Sequence, residues 1–333
     1  METRRLGSSD LDLTVIGLGT WQFGGRWGGA DDRDSAAACH AALDAGINWI
    51  DTADIYGQGR AEQVVGKVLR DRSDDVIVAT KGGVAWEATT DGLRIWREAS
   101  GAYLRMSLER SLAALGLEAV DLYQVHWPVA DVPADDTFAD LLAMRDEGKI
   151  RWIGVSNYDV PDLEAAHAAG PFVSLQVGYH VMRRTVEEQE LPWCARHGVG
   201  VLAYGPLAHG LLAGRMDERT TFPPNDWRAQ SEFFADDHFA DRVAVARGMQ
   251  QIADRSGRAG GVAELAVAWV LRRPEVTSAI VGARDAAQAR GAAAMASTPL
   301  SPDEDAAIEA LLARYPEAAR PYGHGEPPPR GGA

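Results

Sequence analysis

The chain has 333 residues, 46% of them apolar, which is enough material for one large domain or two small ones. Acidic residues outnumber basic ones by 48 to 33, and the formal net charge of −15 disfavours nucleic acid and anionic membrane surfaces as partners. Cys39 and Cys194 lack the paired spacing of a zinc or redox motif, which predicts two free thiols. We predict a cytoplasmic protein, because the sequence shows neither a signal peptide nor an apolar run that could cross a bilayer.

The chain begins with a predicted β-hairpin. Two short strand-like segments, Thr3 to Leu6 and Leu11 to Thr14, flank the turn Gly7-Ser8-Ser9-Asp10. We expect this N-terminal β-hairpin to plug one end of a barrel that is formed by the segments that follow it.

Eight repeats of a strand-like run and a helical pattern follow the hairpin. The runs are short and rich in Val and Ile, and this alternation is typical of βαβ units with a parallel sheet. The predicted strands are Val15 to Gly17, Asn48 to Asp51, Val76 to Thr80, Val120 to Val125, Trp152 to Val155, Ser174 to Gln176, Gly200 to Ala203 and Ser278 to Val281. The predicted helices are Arg33 to Ala45, Ala61 to Arg70, Ala99 to Leu115, Thr137 to Glu147, Val160 to Ala169, Glu187 to Arg196, a long stretch ending at Arg273, and Ala286 to Ala296.

This count predicts an α/β protein with a single (β/α)8 TIM barrel domain over residues 1–315, in which functional residues lie on the loops after the strands. A doubly wound dinucleotide-binding sheet is the alternative. Its Gly-x-Gly-x-x-Gly fingerprint lacks the third glycine here, since Gly17-Leu18-Gly19 is followed by Thr20-Trp21-Gln22. The segment Gly205 to Asp241 is long enough to be a functional loop over the C-terminal face. Residues 316–333 are rich in Pro and Gly, which predicts a disordered tail.

Four ionisable side chains follow consecutive predicted strands. Asp51 ends the second strand and Tyr56 follows it, while Lys81 follows the third strand and His126 follows the fourth, so a barrel would bring them to one mouth. Reduction of a carbonyl requires a hydride at carbon and a proton at oxygen, and the phenol of Tyr56 is a candidate proton donor. The ammonium of Lys81 would lower the pKa of this phenol, with Asp51 orienting the lysine. A neutral His126 would donate a hydrogen bond to the carbonyl oxygen.

Each of these residues also has an ordinary structural interpretation. Asp51 could cap a helix or a turn, and Tyr56 could be an ordinary loop residue. Lys81 could be a solvated charge or part of a phosphate loop. His126 could be a core histidine whose ring nitrogens are hydrogen-bonded. Taken singly, these interpretations are at least as common as a catalytic role. The placement of all four residues after consecutive strands is what favours a catalytic site.

A second set of polar residues predicts a cofactor subsite. Tyr204 ends the seventh strand, where its ring could stack on a nicotinamide or simply pack in the core. Ser156, Asn157 and Gln176 offer donors and acceptors that suit a carboxamide. Gly282-Ala283-Arg284 follows the eighth strand and opens a helix, a place where backbone N–H groups and an arginine can bind phosphate.

Three tryptophans, Trp21, Trp86 and Trp127, also follow predicted strands. As walls of a pocket they would suit aromatic or aliphatic aldehydes better than highly charged substrates, and packing at the barrel rim is the alternative. We assign substrate contacts to these three tryptophans together with Tyr56 and His126.

At these strand ends the sequence resembles the aldo-keto reductase superfamily, from about Arg4 to Leu312. The segments that carry the resemblance are Gly17-Leu18-Gly19-Thr20-Trp21, Asp51-Thr52-Ala53-Asp54-Ile55-Tyr56-Gly57, Thr80-Lys81, Val125-His126-Trp127-Pro128, Gly154-Val155-Ser156-Asn157-Tyr158 and Ile280-Val281-Gly282-Ala283-Arg284. Thr221-Phe222-Pro223-Pro224 and Glu232-Phe233-Phe234 are most similar to the bacterial stress-associated branch of that superfamily.

The resemblance implies an (α/β)8 barrel that reduces aldehydes or ketones with NADPH and without a metal ion. The catalytic tetrad of the family falls on Tyr56, Lys81, Asp51 and His126 in this sequence. The cofactor positions that it implies are Thr20, Trp21, Asp51, Ser156, Asn157, Gln176, Tyr204, Gly205, Leu207, Gly210, Gly282, Ala283, Arg284 and Gln288. Arg284 is the expected partner of the 2′-phosphate.

One departure from the family pattern concerns the nucleotide. After the position of Gln288 the family usually carries a Glu-Asn pair that contacts adenine, whereas this chain has Gly291 and Ala292. The long loop from Pro206 to Phe239 lies where related enzymes clamp the cofactor. The sequence therefore leaves open how strictly the enzyme prefers NADPH to NADH.

Two other functions stay open as well. Potassium-channel β subunits resemble the same superfamily, so the chain could instead be a cofactor-binding regulatory subunit, although no large apolar stretch or basic tail indicates a partner surface. The same tetrad could also oxidise secondary alcohols or sugar alcohols. The sequence names neither the physiological substrate nor the oligomeric state.

Overall fold

A computed structural model of the chain describes residues 1–90, 92–235, 237–296, 298–322 and 327–328. Within these residues the strands are β1 (Thr3–Arg5), β2 (Asp12–Thr14), β3 (Ile16–Gly19), β4 (Trp49–Asp51), β5 (Ile77–Gly82), β6 (Val84–Thr89), β7 (Gly92–Arg97), β8 (Val120–Val125), β9 (Ile150–Ser156), β10 (Ser174–Gly178), β11 (Gly200–Tyr204) and β12 (Val276–Gly282). The helices are α1 (Asp32–Asp44), α2 (Arg60–Arg70), α3 (Gly101–Leu115), α4 (Ala134–Asp146), α5 (Val160–Ala169), α6 (Glu190–His197), α7 (Glu232–Ala235), α8 (Phe239–Arg255), α9 (Gly261–Leu271), α10 (Ala286–Ala294) and α11 (Pro302–Arg314).

Eight parallel strands close into a barrel in the order β3, β4, β5, β8, β9, β10, β11 and β12, and β12 pairs with β3. Most barrel strands are buried on both faces, which is why they read as continuous apolar runs rather than as alternating ones. Each of the eight predicted strands overlaps a barrel strand. The prediction of a (β/α)8 barrel is therefore confirmed.

The helices form an outer layer around the strands. In α9 every side chain from Val262 to Val270 is buried, because this helix packs against β12 on one side and α8 on the other. The long predicted stretch before β12 thus contains α7, α8 and α9 in turn. No helix in the described ranges combines the length and the apolar character that a membrane span requires.

The hairpin of β1 and β2 closes the N-terminal end of the barrel, as predicted. Leu6 and Leu11 are buried in one cluster with Trp49 and other inward-facing residues of the barrel strands. Gly7 in the hairpin turn has a φ of +52°, and a Cβ there would lie 2.3 Å from the carbonyl oxygen of Val173. Only glycine allows the turn to approach the strand ends this closely.

The hairpin of β6 and β7 is absent from the sequence-based prediction. Its outer half is largely exposed, so it lacks the apolar alternation that indicates a strand. The hairpin follows β5 directly, and its strands pair in antiparallel register from Val84 with Arg97 at the inner end. This inner end places Val84 and Ile95 on the wall of the barrel mouth.

The segment that follows α11 packs against the barrel up to Tyr322, whereas its composition predicts disorder. Pro316–Ala319 form a 3-10 turn, and Tyr322 is buried with its ring centroid 4.6 Å from that of Phe233. Aromatic packing of this kind supplies the contacts that a Pro- and Gly-rich composition alone does not indicate. Residues 323–326 and 329–333 of the predicted tail lie outside the described residues.

Candidate active site

Lys81, Asp51 and Tyr56 form a hydrogen-bonded group at the C-terminal mouth of the barrel, in which Lys81 and Asp51 are buried and Tyr56 is partly buried. The Nζ of Lys81 lies 2.7 Å from Oδ1 of Asp51 and 3.3 Å from the hydroxyl oxygen of Tyr56. It also donates to the carbonyl oxygen of Thr52 at 2.9 Å. Lys81 is 0% exposed, so its charge depends on the carboxylate of Asp51 for compensation.

Strand pairing sets the positions of these side chains. Asp51 ends β4 and Lys81 lies near the end of β5, which pairs with β4 on one side and with β8 on the other. Tyr56 lies in the loop after β4, where its N–H donates to the carbonyl oxygen of Ala53 and turns the chain. The turn leaves the Nζ of Lys81 5.0 Å from the centroid of the Tyr56 ring. The ammonium and the phenol are thus adjacent because of the local fold.

Burial and charge act in opposite directions on Lys81 and Tyr56. Burial lowers the pKa of Lys81, but Asp51 and Tyr56 more than offset it, so that this pKa is raised above its ordinary value. Burial raises the pKa of the Tyr56 hydroxyl to about 12, and the charge of Lys81 offsets only part of this rise. The sequence predicts a lowered phenol pKa, whereas the structure gives a raised one because desolvation outweighs the ammonium.

His126 follows β8 and faces the same cavity as Tyr56. The centroids of the two rings are 5.9 Å apart. Burial, with an added effect of Lys81, holds the pKa of His126 well below its ordinary value, so the imidazole is neutral at pH 7. Within the described residues its Nδ1 has no hydrogen-bond partner. A neutral imidazole can donate from one ring nitrogen and accept at the other.

Asn157 connects the residues that were predicted to bind a carboxamide. It has a left-handed φ of 61°, a conformation that asparagine tolerates better than most residues. Its Nδ2 donates to the carbonyl oxygen of His126 at 3.0 Å, and its Oδ1 accepts from the Tyr204 hydroxyl at 2.9 Å. The predicted stacking residue and the histidine are therefore held in one hydrogen-bonded group.

Gln176 links this group to Asp51. Its Nε2 donates to Oδ2 of Asp51 at 2.8 Å and lies 3.4 Å from Oε1 of Gln124. Sequence reasoning missed Gln124, which is the penultimate residue of β8 and is buried inside the barrel. The Ser156 hydroxyl donates to the backbone carbonyl of Gln176, and the Thr20 hydroxyl donates to that of Asp51. Predicted catalytic and cofactor residues thus form one network.

The predicted phosphate-binding segment follows β12 and leads into α10. The Arg284 guanidinium donates to the carbonyl oxygen of Trp27 at 3.1 Å, and Arg284 as a whole is exposed. The side chain of Gln288 accepts from the Arg284 N–H. A Cβ at Gly282 would lie 2.1 Å from the amide of Gln22, so a larger residue would displace this side chain.

One cavity of about 810 Å³ joins these parts, a volume in the range of ligand-binding sites. Buried polar atoms without a partner in the described chain lie on its wall, among them Gln22 Oε1, His126 Nδ1 and Arg183 Nε. A dinucleotide with amide, ribose and phosphate groups would satisfy such atoms, so the residues fit a nicotinamide cofactor. Ala283 is buried and does not line the cavity. The predicted cofactor residues that line it are Thr20, Trp21, Asp51, Ser156, Asn157, Gln176, Tyr204, Gly205, Leu207, Gly210, Gly282, Arg284 and Gln288.

Trp86 does not lie where the prediction of a substrate contact requires it. Trp21 and Trp127 line the cavity, but Trp86 does not. The ring of Trp86 instead lies against Arg110 of α3, whose guanidinium carbon is 4.4 Å from the ring centroid. The unpredicted hairpin of β6 and β7 turns this side chain towards α3, which is why a tryptophan after the third barrel strand does not reach the cavity.

Two loops that are far apart in sequence meet over the cavity. Trp27 and Asp226 form a β-bridge, and the N–H of Trp227 donates to the carbonyl oxygen of Arg26 at 3.0 Å. The rings of Trp21, Trp27 and Trp227 then lie with centroids 5.1 to 5.5 Å apart. No local sequence pattern indicates a contact between such distant segments. Cavity residues that sequence reasoning missed include Gln22, Trp27, Arg183, His209, Trp227 and Tyr322.

A hydrogen-bonded Tyr, Lys and Asp group beside a neutral histidine and an amide cluster, at the mouth of a (β/α)8 barrel, defines an oxidoreductase of carbonyl groups that uses a nicotinamide cofactor. The model of the Aldo/keto reductase family matches residues 15–313 of this chain. The protein belongs to the aldo/keto reductase family, as its motifs predict.

Known relatives match almost the full chain. Aldo-keto reductase YhdN of Bacillus subtilis is 35% identical over 316 residues, which are 94% of each chain. The NADH-specific methylglyoxal reductase of Escherichia coli is 31% identical over 91% of this chain and 95% of its own. Both proteins are bacterial, in line with the bacterial branch that the loop motifs resemble.

Solved structures share the whole architecture. The glycerol dehydrogenase of Gluconobacter oxydans superposes with a TM-score of 0.88 at 35% identity, covering 97% of this chain and 98% of its own. An aldo-keto reductase of Klebsiella pneumoniae in complex with NADPH gives a TM-score of 0.71 at 30% identity, covering 99% of this chain and 96% of its own. The family therefore includes members that are named for either direction of the reaction.

Proposed function

We propose that this enzyme reduces aldehydes or ketones to alcohols with NADPH, and that Tyr56 is the proton donor. One observation carries the proposal, namely that Lys81 contacts both Asp51 and the hydroxyl of Tyr56 in a buried position. This contact places a fixed positive charge next to the phenol, where negative charge develops when the proton leaves.

Tyr204, Asn157 and Gln176 would hold the reduced nicotinamide, which would supply the hydride for the carbonyl carbon. As the new C–H bond forms, Tyr56 gives its hydroxyl proton to the carbonyl oxygen, and the electron pair of the broken O–H bond stays on Tyr56. Lys81 stabilises the resulting phenolate, and Asp51 keeps Lys81 in place. Tyr56 regains a proton from solvent before the next turnover. A resting pKa of about 12 keeps Tyr56 protonated at neutral pH, so the proton is present when it is needed.

His126 orients the substrate in this mechanism. Its depressed pKa keeps the ring neutral, so it donates a hydrogen bond to the carbonyl oxygen without adding a second cation beside Lys81. The Asn157 amide holds the backbone carbonyl of His126, which fixes the position of the residue. His126 is therefore a hydrogen-bond donor here and Tyr56 the acid.

We assign the nicotinamide to the wall formed by Tyr204, Asn157 and Gln176, and the 2′-phosphate of NADPH to Arg284. The exposed guanidinium of Arg284 donates only to a loop carbonyl within the described structure, so it can turn to a phosphate. Gly291 lines the cavity where the family usually has a larger adenine contact, and a relative is named NADH-specific. NADPH and NADH are therefore compared directly in the experiment below.

We propose uncharged aldehydes and ketones with aliphatic or aromatic substituents as the substrate class. Trp21 and Trp127 line the cavity near Tyr56 and offer large apolar faces to such substituents. The cytoplasm is the proposed location, because Cys39 and Cys194 are buried free thiols, as is usual in a reducing compartment.

Oxidation of alcohols is the second candidate function. The observation that favours it is the likeness to a protein named glycerol dehydrogenase, which superposes with a TM-score of 0.88. The same Tyr56 and Lys81 pair serves both directions, since a phenolate beside an ammonium can accept the proton of an alcohol.

The experiment that tests the proposal follows NADPH absorbance with purified enzyme and a panel of aldehydes, ketones and sugars, repeated with NADH and, in reverse, with alcohols and NADP⁺. We expect carbonyl-dependent loss of absorbance with NADPH for at least one uncharged class. Tight NADPH binding without turnover in either direction would contradict the proposal and favour a cofactor-binding regulatory subunit. Turnover of alcohols alone would favour the second candidate.

A further inference from the structure

Arg183 is a partly buried arginine of the cavity wall that has no carboxylate within 4.0 Å in the described structure. It lies in the turn after β10, which two backbone hydrogen bonds with His180 hold in place. Its Nε is buried and has no hydrogen-bond partner among the described residues. The mechanism proposed above makes no use of this charge.

Two other partly buried arginines are compensated by carboxylates. The next residue, Arg184, pairs with Glu187 at 2.9 Å, and Arg228, which also lines the cavity, pairs with Asp226 at 2.7 Å. Near the catalytic end, Lys81 and Asp51 compensate each other in the same way. The charge of Arg183 is therefore a net positive charge at this part of the wall.

The position of Arg183 relative to Tyr204 gives that charge a specific neighbour. The Nη1 of Arg183 lies 3.5 Å from the Tyr204 hydroxyl, and the guanidinium carbon is 5.9 Å from the ring centroid. A Cβ at Gly178 would lie 2.2 Å from Nη1 and 3.1 Å from the Tyr204 ring. The glycine at the end of β10 thus leaves the space in which the guanidinium sits beside the tyrosine.

We propose that Arg183 makes the site discriminate between the two redox forms of the cofactor, favouring the uncharged reduced nicotinamide over the cationic oxidised one. The inference rests on the proposed function, in which the nicotinamide stacks on Tyr204. Arg183 would thus be the residue that determines which redox form of the cofactor the enzyme binds more tightly. The overall equilibrium of the reaction is fixed by the reactants and does not change.

Coulomb interactions give the direction and the size of the expected difference in affinity between the two redox forms. A ring stacked on Tyr204 lies within roughly 10 Å of the guanidinium, given the usual spacing of stacked rings. Attraction of Arg183 to the cofactor phosphates is the same in both redox forms and cancels in the ratio of their affinities. Repulsion acts only on the cationic ring, and after solvent screening it corresponds to roughly a threefold to tenfold weaker binding of the oxidised form.

The test measures dissociation constants of NADPH and NADP⁺ on the full-length enzyme by calorimetry, with no substrate present. We expect the ratio of the NADP⁺ Kd to the NADPH Kd to fall roughly threefold to tenfold in Arg183→Gln. Arg183→Lys should retain the wild-type ratio, because it keeps the charge. Arg183→Met, which keeps most of the apolar stem, should behave like the glutamine variant.

Arg184→Gln is the matched control, since it removes an adjacent arginine that is already paired with carboxylates, and it should leave the ratio unchanged. Equal weakening of both cofactor forms in Arg183→Gln would overturn the proposal and make Arg183 an ordinary phosphate contact. Unchanged Kd values together with a raised KM for carboxylate-bearing substrates would overturn it in favour of a substrate contact. Absence of any cofactor binding by the wild-type enzyme would instead contradict the proposed function itself.

Discussion

The catalytic end and the phosphate end of the cavity hold their charged groups differently. At the catalytic end, Lys81 is 0% exposed and donates to Asp51, Thr52 and Tyr56. At the phosphate end, Arg284 is exposed and its guanidinium donates to one loop carbonyl. The first arrangement forms when the barrel strands pair, whereas the second depends on a loop. Substitutions at the catalytic end should therefore change stability and rate together, and substitutions at the phosphate end should change affinity alone.

The largest combined effect on rate and stability is expected from Lys81→Met. Loss of the ammonium removes the stabilisation of the phenolate and should lower kcat by a factor on the order of 10³. It also leaves Asp51 as a buried carboxylate without its cation, which should reduce the free energy of unfolding by about 3–5 kcal/mol. Steady-state kinetics and urea unfolding measure the two quantities on the same protein.

Lys67→Met is the control, because Lys67 is exposed on α2 and the change of side chain is the same. It should alter neither kcat nor the unfolding midpoint appreciably. A Lys81→Met protein as stable as the wild type would contradict the coupling of fold and catalysis at this end.

Arg284→Ala tests the phosphate end. Loss of a charge-assisted hydrogen bond to the 2′-phosphate should raise the Kd of NADPH about 10-fold to 100-fold, while the Kd of NADH and the free energy of unfolding stay unchanged. Fluorescence titration with both cofactors measures the effect, with Arg290→Ala on the exposed side of α10 as the control. Equal losses for NADPH and NADH would remove Arg284 from nucleotide selection.

Asp54 is a second carboxyl group that is buried at the catalytic end. Asp54 is 1% exposed, accepts from Ser107 at 2.5 Å and lies 3.6 Å from the guanidinium of Arg110. Burial raises its pKa from 3.8 to about 8. Between these values the folded state holds a proton that the unfolded state has released, so the stability contributed by Asp54 falls as the pH rises from about 4 to about 8 and is level above that.

Asp54→Asn cannot ionise and should remove this pH dependence. Relative to the wild type, its free energy of unfolding should improve by on the order of a few kcal/mol between about pH 5 and about pH 9. Urea unfolding at both pH values measures the difference between the two proteins. Parallel pH curves for wild type and variant would contradict a protonated Asp54 at neutral pH.

The smallest effects are expected from two tryptophans, Trp127 and Trp86. Trp127→Ala removes a wall of the cavity and should raise the KM for an aromatic aldehyde roughly threefold to tenfold. Trp86→Ala removes a ring that packs on Arg110 outside the cavity, so its KM should stay within about twofold of the wild type. Steady-state kinetics with one aromatic aldehyde compares the two variants directly. A larger KM effect from Trp86 than from Trp127 would restore the sequence-based assignment.

The barrel and the position of the tetrad follow from sequence because both depend on order along the chain. Asp51, Lys81 and His126 each lie at the end of a strand, and parallel strands that are consecutive in sequence pair in the barrel. Residues at the C-terminal ends of consecutive strands are therefore neighbours at the barrel mouth. The pKa of Tyr56 does not follow in this way, since it depends on how much water the finished cavity excludes.

Features that depend on distant loops could not be predicted. Trp27 meets Asp226, and Tyr322 packs on Phe233, through contacts between segments with no sequence relation to each other. The sequence predicts Trp86 in the cavity because it follows a strand, and the hairpin that carries it away from the cavity has no clear strand pattern. These features depend on how the complete chain packs, and the periodicity and spacing of residues do not predict such packing.

The most direct test of Tyr56 as the proton donor is the single-turnover rate of hydride transfer in Tyr56→Phe, measured with saturating NADPH and a substrate that the wild type turns over. Tyr315→Phe is the control, since Tyr315 lies outside the cavity lining. We expect a rate lower by a factor on the order of 10² to 10⁴, with the Kd of NADPH unchanged. A rate close to that of the wild type would show that another group supplies the proton, and would contradict the assignment of Tyr56.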